Sequence, residues 1–241
     1  MPSPTRLSEA RYAETLRAGL ATGAFASKGE RTRYRLRIAA AEALEADGFQ
    51  KLKVADVCRR ANVALGTFYV YFRDKTEIAI DVVMSFIDLL YEQAREGARG
   101  ANEYDSIYRT NLFFVLAYRA NPGLMRCHVQ LQSQEPEFRA HWEPRHRTWL
   151  EILARSILRR SEPGRLTRER ALKIAAALEG MVFNYLYSAA VTRESLIESD
   201  SSDPAEMAET LSVLWYRGVH GRDPDHLRGT MTAHDPEIAR S

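Results

Sequence analysis

The chain has 241 residues, 45% of them hydrophobic, with 34 Lys or Arg against 32 Asp or Glu, a composition that excludes a disordered polyelectrolyte and can bury a sizeable core. Its two cysteines, Cys58 and Cys127, share no metal-ligand spacing and are too sparse for a disulfide framework, which fits a reducing compartment. Leu, Ala, Arg and Glu are abundant and period-2 alternation is hard to find, so an all-α fold is expected.

Residues 1–27 read as an N-terminal arm with a weak helical pattern at Leu7, Tyr12, Leu16 and Leu20. Arg6, Glu9, Arg11, Glu14 and Arg17 break every apolar run there, which argues against a signal peptide. Nor is there an unbroken run of about 18 apolar residues of the kind a membrane span needs, so no membrane partner and a cytoplasmic location are expected. From about Arg31 the positions Ile38, Ala41, Leu44 and Ala46 keep helical spacing, and Gly48 stands where a left-handed cap would end the helix. Val54 to Ala61 allows two turns, Asn62 suits a sharp turn at positive φ, and Leu65 to Phe72 makes a second short helix. Asp74 can cap a long helix from Lys75 to about Glu96. Further helices are expected at about 103–120, 123–132, 136–160, 167–193 and 204–219. Turn-rich linkers at 161–164 and 199–204 separate the last three, and a tail of uncertain order starts near residue 222.

The balanced total charge hides two unlike parts. Residues 28–75 hold 11 Lys or Arg against 6 Asp or Glu, a net of +5, whereas residues 76–241 hold 20 against 24, a net of −4. A basic module for a polyanion followed by a helical body spanning 76–221 is the expected organisation, although Arg31, Arg33, Arg35 and Arg37 would also serve simply to solvate a helix.

The stretch from Lys53 to Lys75 has the geometry of a helix-turn-helix. Val54, Val57, Ala61 and Val63 give one helix and its turn an apolar face, and Phe68 and Phe72 anchor the next. Ala64, Leu65, Gly66, Thr67, Val70 and Tyr71 are then left at or near the outer side of the second helix, where its N-terminal end can enter a major groove. Gly66 permits close approach; Thr67, Tyr69 and Tyr71 supply hydroxyls, and Lys53 and Lys75 supply charge for phosphates.

Ala61-Asn62-Val63, Gly66-Thr67-Phe68-Tyr69, Tyr71-Phe72 and Lys75 together resemble the signature of the tetracycline-repressor (TetR) family of bacterial regulators, over about residues 31–80. The resemblance implies a three-helix head on double-stranded operator DNA, a long connecting helix, and a body that dimerises and binds an effector, hence a palindromic operator. Lys53, Ala64 and Asn62 depart from the Thr, Ser and Gly common in the family, so two helix caps and phosphate contacts are expected to be changed.

On the implied homodimer plan, Ala171, Ile174, Ala175, Leu178, Met181, Val182 and Tyr185 on one helix and Met207, Leu211, Leu214, Trp215 and Val219 on the next form candidate interface stripes. Phe113, Phe114, Tyr118, Met125, Trp142, Trp149, Phe183 and Tyr187 are candidate linings of a pocket for a small apolar or aromatic effector, with ordinary core packing as the alternative. No cofactor, metal or catalytic residue is expected. His141 and His146 lie about 140° apart around a helix, Cys127 and His128 point in different directions, and Glu135 and Glu137 read as capping residues. A ligand-responsive repressor leads, ahead of a DNA-binding regulator without an effector and, last, a helical enzyme with an unrecognised site.

Overall fold

The computed structural model describes residues 6–23, 25–161, 164, 166–193 and 203–227. Among these, ten α-helices and no strand occur: α1 (Tyr12–Thr22), α2 (Lys28–Lys51), α3 (Val54–Ala61), α4 (Leu65–Tyr71), α5 (Lys75–Gly97), α6 (Glu103–Ala120), α7 (Pro122–Gln134), α8 (Pro136–Arg160), α9 (Arg168–Tyr187) and α10 (Pro204–His220). A π-turn, Ser188–Thr192, prolongs α9, and a 3-10 turn, Asp225–Leu227, follows α10. Most of the 199–204 linker and the tail beyond residue 227 lie outside the described residues.

Local signals set most helix ends. The Ser27 hydroxyl accepts from the Glu30 amide at 3.1 Å, starting α2 three residues ahead of Arg31, and Gly48 takes φ 78° where its regular part stops. Asn62 adopts φ 51° between α3 and α4. The Asp74 carboxylate accepts from the Thr76 and Glu77 amides, each at 2.9 Å, and opens α5. The Glu77 amide, then the Arg73 guanidinium and the Thr76 amide, hold its carboxyl below the usual carboxylate range against the opposing effect of burial.

The arm is more ordered than its sequence pattern announces. Leu7, Tyr12, Ala13 and Leu16 are buried, the Leu7 amide donates to Gln93 Oε1 at 2.8 Å, and the Tyr12 amide donates to Asn121 Oδ1 at 2.7 Å. Its partners come from α5 and the α6–α7 junction, so nothing near the arm in sequence reveals them. One buried cluster runs from Leu7 to Leu211; arm, head and body share an interior. A smaller cluster of Ala154, Ile157, Ala171 and Ala175 joins α8 to α9.

Three of the four arginines of α2 have structural partners. Arg33 and Arg37 both pair with Asp81 of α5, at 2.9 and 2.8 Å, and Arg35 donates to the Ala61 carbonyl at the end of α3. Part of the positive charge counted in residues 28–75 therefore locks helices together.

The segment Arg168–Thr192 has a window of mean hydropathy 1.3, apolar and long enough by composition to cross a membrane, although no unbroken apolar run reveals it. Only 28% of that window is buried, so α9 leaves an apolar side open.

Candidate DNA-reading face and effector cavity

Helices α3 and α4 pack through Val57, Ala61, Phe68 and Phe72, all buried. This packing turns Leu65, Tyr69 and Val70 outward, with Val70 74% exposed. Ala64 and Gly66 are exposed beside them and Thr67 is half-buried. Neither Lys53 at the start of α3 nor Ala64 at the start of α4 makes a side-chain cap bond, as the departures from the family pattern predict. The first turn of α4 is uncapped and carries no acidic residue, which suits phosphate, whereas α3, which Lys53 opens, has Asp56 in its first turn.

Two candidate contacts sit differently from the rest. Tyr71 is half-buried against the core and its hydroxyl reaches Gly29, where an added Cβ would come within 3.2 Å. Lys75 is half-buried, with Nζ 3.4 Å from the Gln50 carbonyl and 5.1 Å above the Phe49 ring. Lys28, Arg31 and Lys51, counted in the basic module but not singled out by motif, make no ion pair among the described residues and carry the head's uncommitted charge with Lys53.

The body holds a cavity of about 660 Å3 lined by residues of α5, α6, α7, α8, α9 and α10. Six of the eight aromatic and Met candidates line it: Phe114, Tyr118, Met125, Trp142, Trp149 and Phe183. Phe113 does not; consecutive helical residues point about 100° apart, and it meets Phe114 edge-on instead. Tyr187 stacks on Phe183, centroids 6.0 Å apart, and also stays out of the lining. Sequence reasoning missed Tyr91, which stacks on Trp149 at 4.8 Å, and His128. His128 and Cys127 do diverge: the thiol packs toward the Leu44 carbonyl while the imidazole faces the cavity.

The cavity is polar at both ends. Trp142, His128 and His146 cluster at one, with Trp142 stacked on His146 at 4.4 Å and His146 Nε2 3.5 Å from the Glu179 carboxylate. Burial pushes the His128 imidazole down to about 4, with a smaller contribution from His146. Arg95, Arg99, Arg155, Arg159 and Arg160 line the other end. Of these only Arg160 is ion-paired among the described residues, to Glu103 at 3.2 Å.

Helices α5, α7 and α8 each connect cavity to head. Helix α5 begins beside the recognition segment and carries Ile87, Leu90 and Tyr91 into the cavity wall. Helix α7 carries Met125 and His128, and its first amides, of Gly123 and Leu124, donate to the Glu45 carboxylate on α2, each at 2.9 Å. Glu137, read as a capping residue, instead pairs with Arg73 next to the head at 3.1 Å, and Glu135 caps nothing with its side chain.

The two candidate dimer stripes divide. Ala171, Ala175, Val182, Met207 and Leu211 are buried within the single chain, where α9 packs on α8 and α10 packs on α6. Val182, Trp215 and Val219 line the cavity. Ile174, Leu178, Met181 and Tyr185 are partly buried, Leu214 is 43% exposed, and Ala176, Ala177, Gly180 and Asn184 form an exposed small-residue strip that the stripes omitted.

Residues 37–82 match the family model described as bacterial regulatory proteins, tetR family. The chain is 26% identical over 188 residues to the HTH-type transcriptional regulator EthR of Mycolicibacterium smegmatis, covering 75% of this chain and 82% of the relative. It is 23% identical over 188 residues to the fatty acid metabolism regulator protein of Bacillus subtilis, covering 76% and 93%. Its fold matches the Thermus thermophilus FadR repressor solved with lauroyl-CoA, with a TM-score of 0.55, 20% identity, and coverage of 80% of this chain and 97% of that one. With the helix-turn-helix and helical body in place, the chain carries at residues 37–82 the DNA-binding domain of the tetR family, is similar along most of its length to regulators of that family, and is a DNA-binding transcriptional regulator.

Proposed function

We propose that this regulator is a repressor that releases its operator when an amphipathic anion, an acyl thioester of the lauroyl-CoA kind, enters the body. The observation that carries the reading is the cavity itself: apolar along its length, ringed by arginines at one end, and walled by helices joined to the head. An apolar tail gains by leaving water, and the arginine end offers charge-assisted bonds to an anionic head group. Ligand pressure on α5 and α7 would shift α2 and the recognition helix; a coupling of about 1–3 kcal/mol is enough for a switch.

On the head, Lys53, Ala64, Leu65, Gly66, Thr67, Tyr69 and Val70 are the proposed groove-facing set, with Tyr71 and Lys75 supporting it from behind. Two such heads, paired through the open sides of α9 and α10 around Ala176, Ala177, Gly180 and Leu214, would read a palindromic operator. The chain acts by binding, without catalysing a reaction. The test is genomic-fragment selection with the purified protein, followed by anisotropy titration of the recovered operator with and without lauroyl-CoA. Release at saturating thioester is the expected result; affinity that stays constant refutes the ligand reading, and affinity independent of salt refutes the DNA face.

A further inference from the structure

Resting on that ligand reading, we propose that the end of the cavity formed by His128 and Trp142 recognises a neutral oxygen on the effector, so that the preferred ligand is an acyl chain bearing a hydroxyl or carbonyl remote from its anionic head. His128 is 5% exposed, and neither of its ring nitrogens has a hydrogen-bond partner among the described residues; the same holds for Trp142 Nε1, a buried atom. Both side chains line the cavity, with ring centroids 5.7 Å apart. Buried groups of this kind are ordinarily satisfied, and a pair of them in one apolar chamber is matched by a ligand that supplies the missing bonds.

The chemistry of the pair narrows the ligand. A neutral imidazole has one donor and one acceptor, and an indole has a donor only. A hydroxyl accepts from Trp142 and exchanges a bond with His128; a carbonyl accepts from both. A carboxylate is disfavoured, because Glu179 already stands beside His146, whose ring stacks on Trp142. Position agrees: Arg155 lies thirteen residues beyond Trp142 on α8, about 20 Å at roughly 1.5 Å per residue. A head group held by the arginines therefore leaves about 20 Å of extended ligand between it and an oxygen beside His128.

The experiment compares lauroyl-CoA with ω-hydroxylauroyl-CoA on the full chain, by calorimetric titration and by operator release. The hydroxylated thioester is expected to bind about tenfold tighter. Trp142→Phe, which keeps an aromatic ring without the donor, and His128→Phe are expected to erase that preference, read as the ratio of the two affinities within each variant. Unliganded His128→Phe should melt at or above the wild-type temperature, since it removes two unpaired buried atoms. Equal affinity of the wild type for the two thioesters, or a preference that survives both substitutions, overturns the proposal. Binding of neither thioester is a distinct outcome that removes the ligand reading itself and this proposal with it.

Discussion

Glu45 of α2 grips the first turn of α7: one carboxylate oxygen accepts from the Gly123 amide and the other from Leu124, both at 2.9 Å. A carboxylate at a helix N-terminus satisfies two otherwise open amides and meets the positive end of the helix dipole. Because α7 also carries Met125 and His128 into the cavity, this contact is a short path from ligand to head. Glu45→Ala is expected to lower unfolding free energy by about 2 kcal/mol and to weaken operator release by ligand. Urea titration gives the first quantity and anisotropy the second; unchanged release would remove Glu45 from the coupling path.

Gly123 tests the same junction sterically. A Cβ there would lie 2.0 Å from the Glu45 carbonyl oxygen and 2.6 Å from its Cα, backbone atoms that cannot swing aside. Gly123→Ala should cost about 3 kcal/mol by forcing α7 off α2. The check is a thermal melt, with Gly66→Ala as the stability control because nothing lies within 4 Å of a Cβ at that position.

On the head, Val70→Glu and Lys53→Ala should leave the melting temperature within a degree or two, since both side chains are exposed, yet weaken operator binding. Lys53→Ala is expected to flatten the log–log dependence of affinity on salt by about one unit, the mark of one lost phosphate contact. Phe68→Ala differs in kind: a fully buried ring between α3 and α4 is removed, at a cost of about 3–5 kcal/mol.

The buried imidazole gives a pH signature. Burial depresses His128 from 6.5 to about 4, so the unfolded chain binds a proton that the folded chain refuses between those values. Stability is therefore full above pH 6.5, falls as pH drops and levels near 4, for a loss on the order of 3 kcal/mol from this group. His128→Phe should reduce the difference in unfolding free energy between pH 7 and pH 4.5; an identical pH slope in the variant would refute the assignment.

Local chemistry made much of the molecule legible in advance. The left-handed Asn62, the Asp74 cap, the proline starts of α7, α8 and α10 and the Phe68–Phe72 anchor depend on residues within one or two turns of each other, so the sequence determined the helix-turn-helix and most helix boundaries. Tertiary structure decided what depends on distant partners. It paired Arg33 and Arg37 with Asp81, tied the arm to Gln93 and Asn121, and buried Ala171, Ala175, Met207 and Leu211 in the chain's own interior. It also turned His128 into the cavity while Phe113 and Tyr187 stayed out of it. An apolar stripe states only that a face will be covered. Which neighbour covers it, or whether a cavity is left there, is set by how helices far apart in sequence meet.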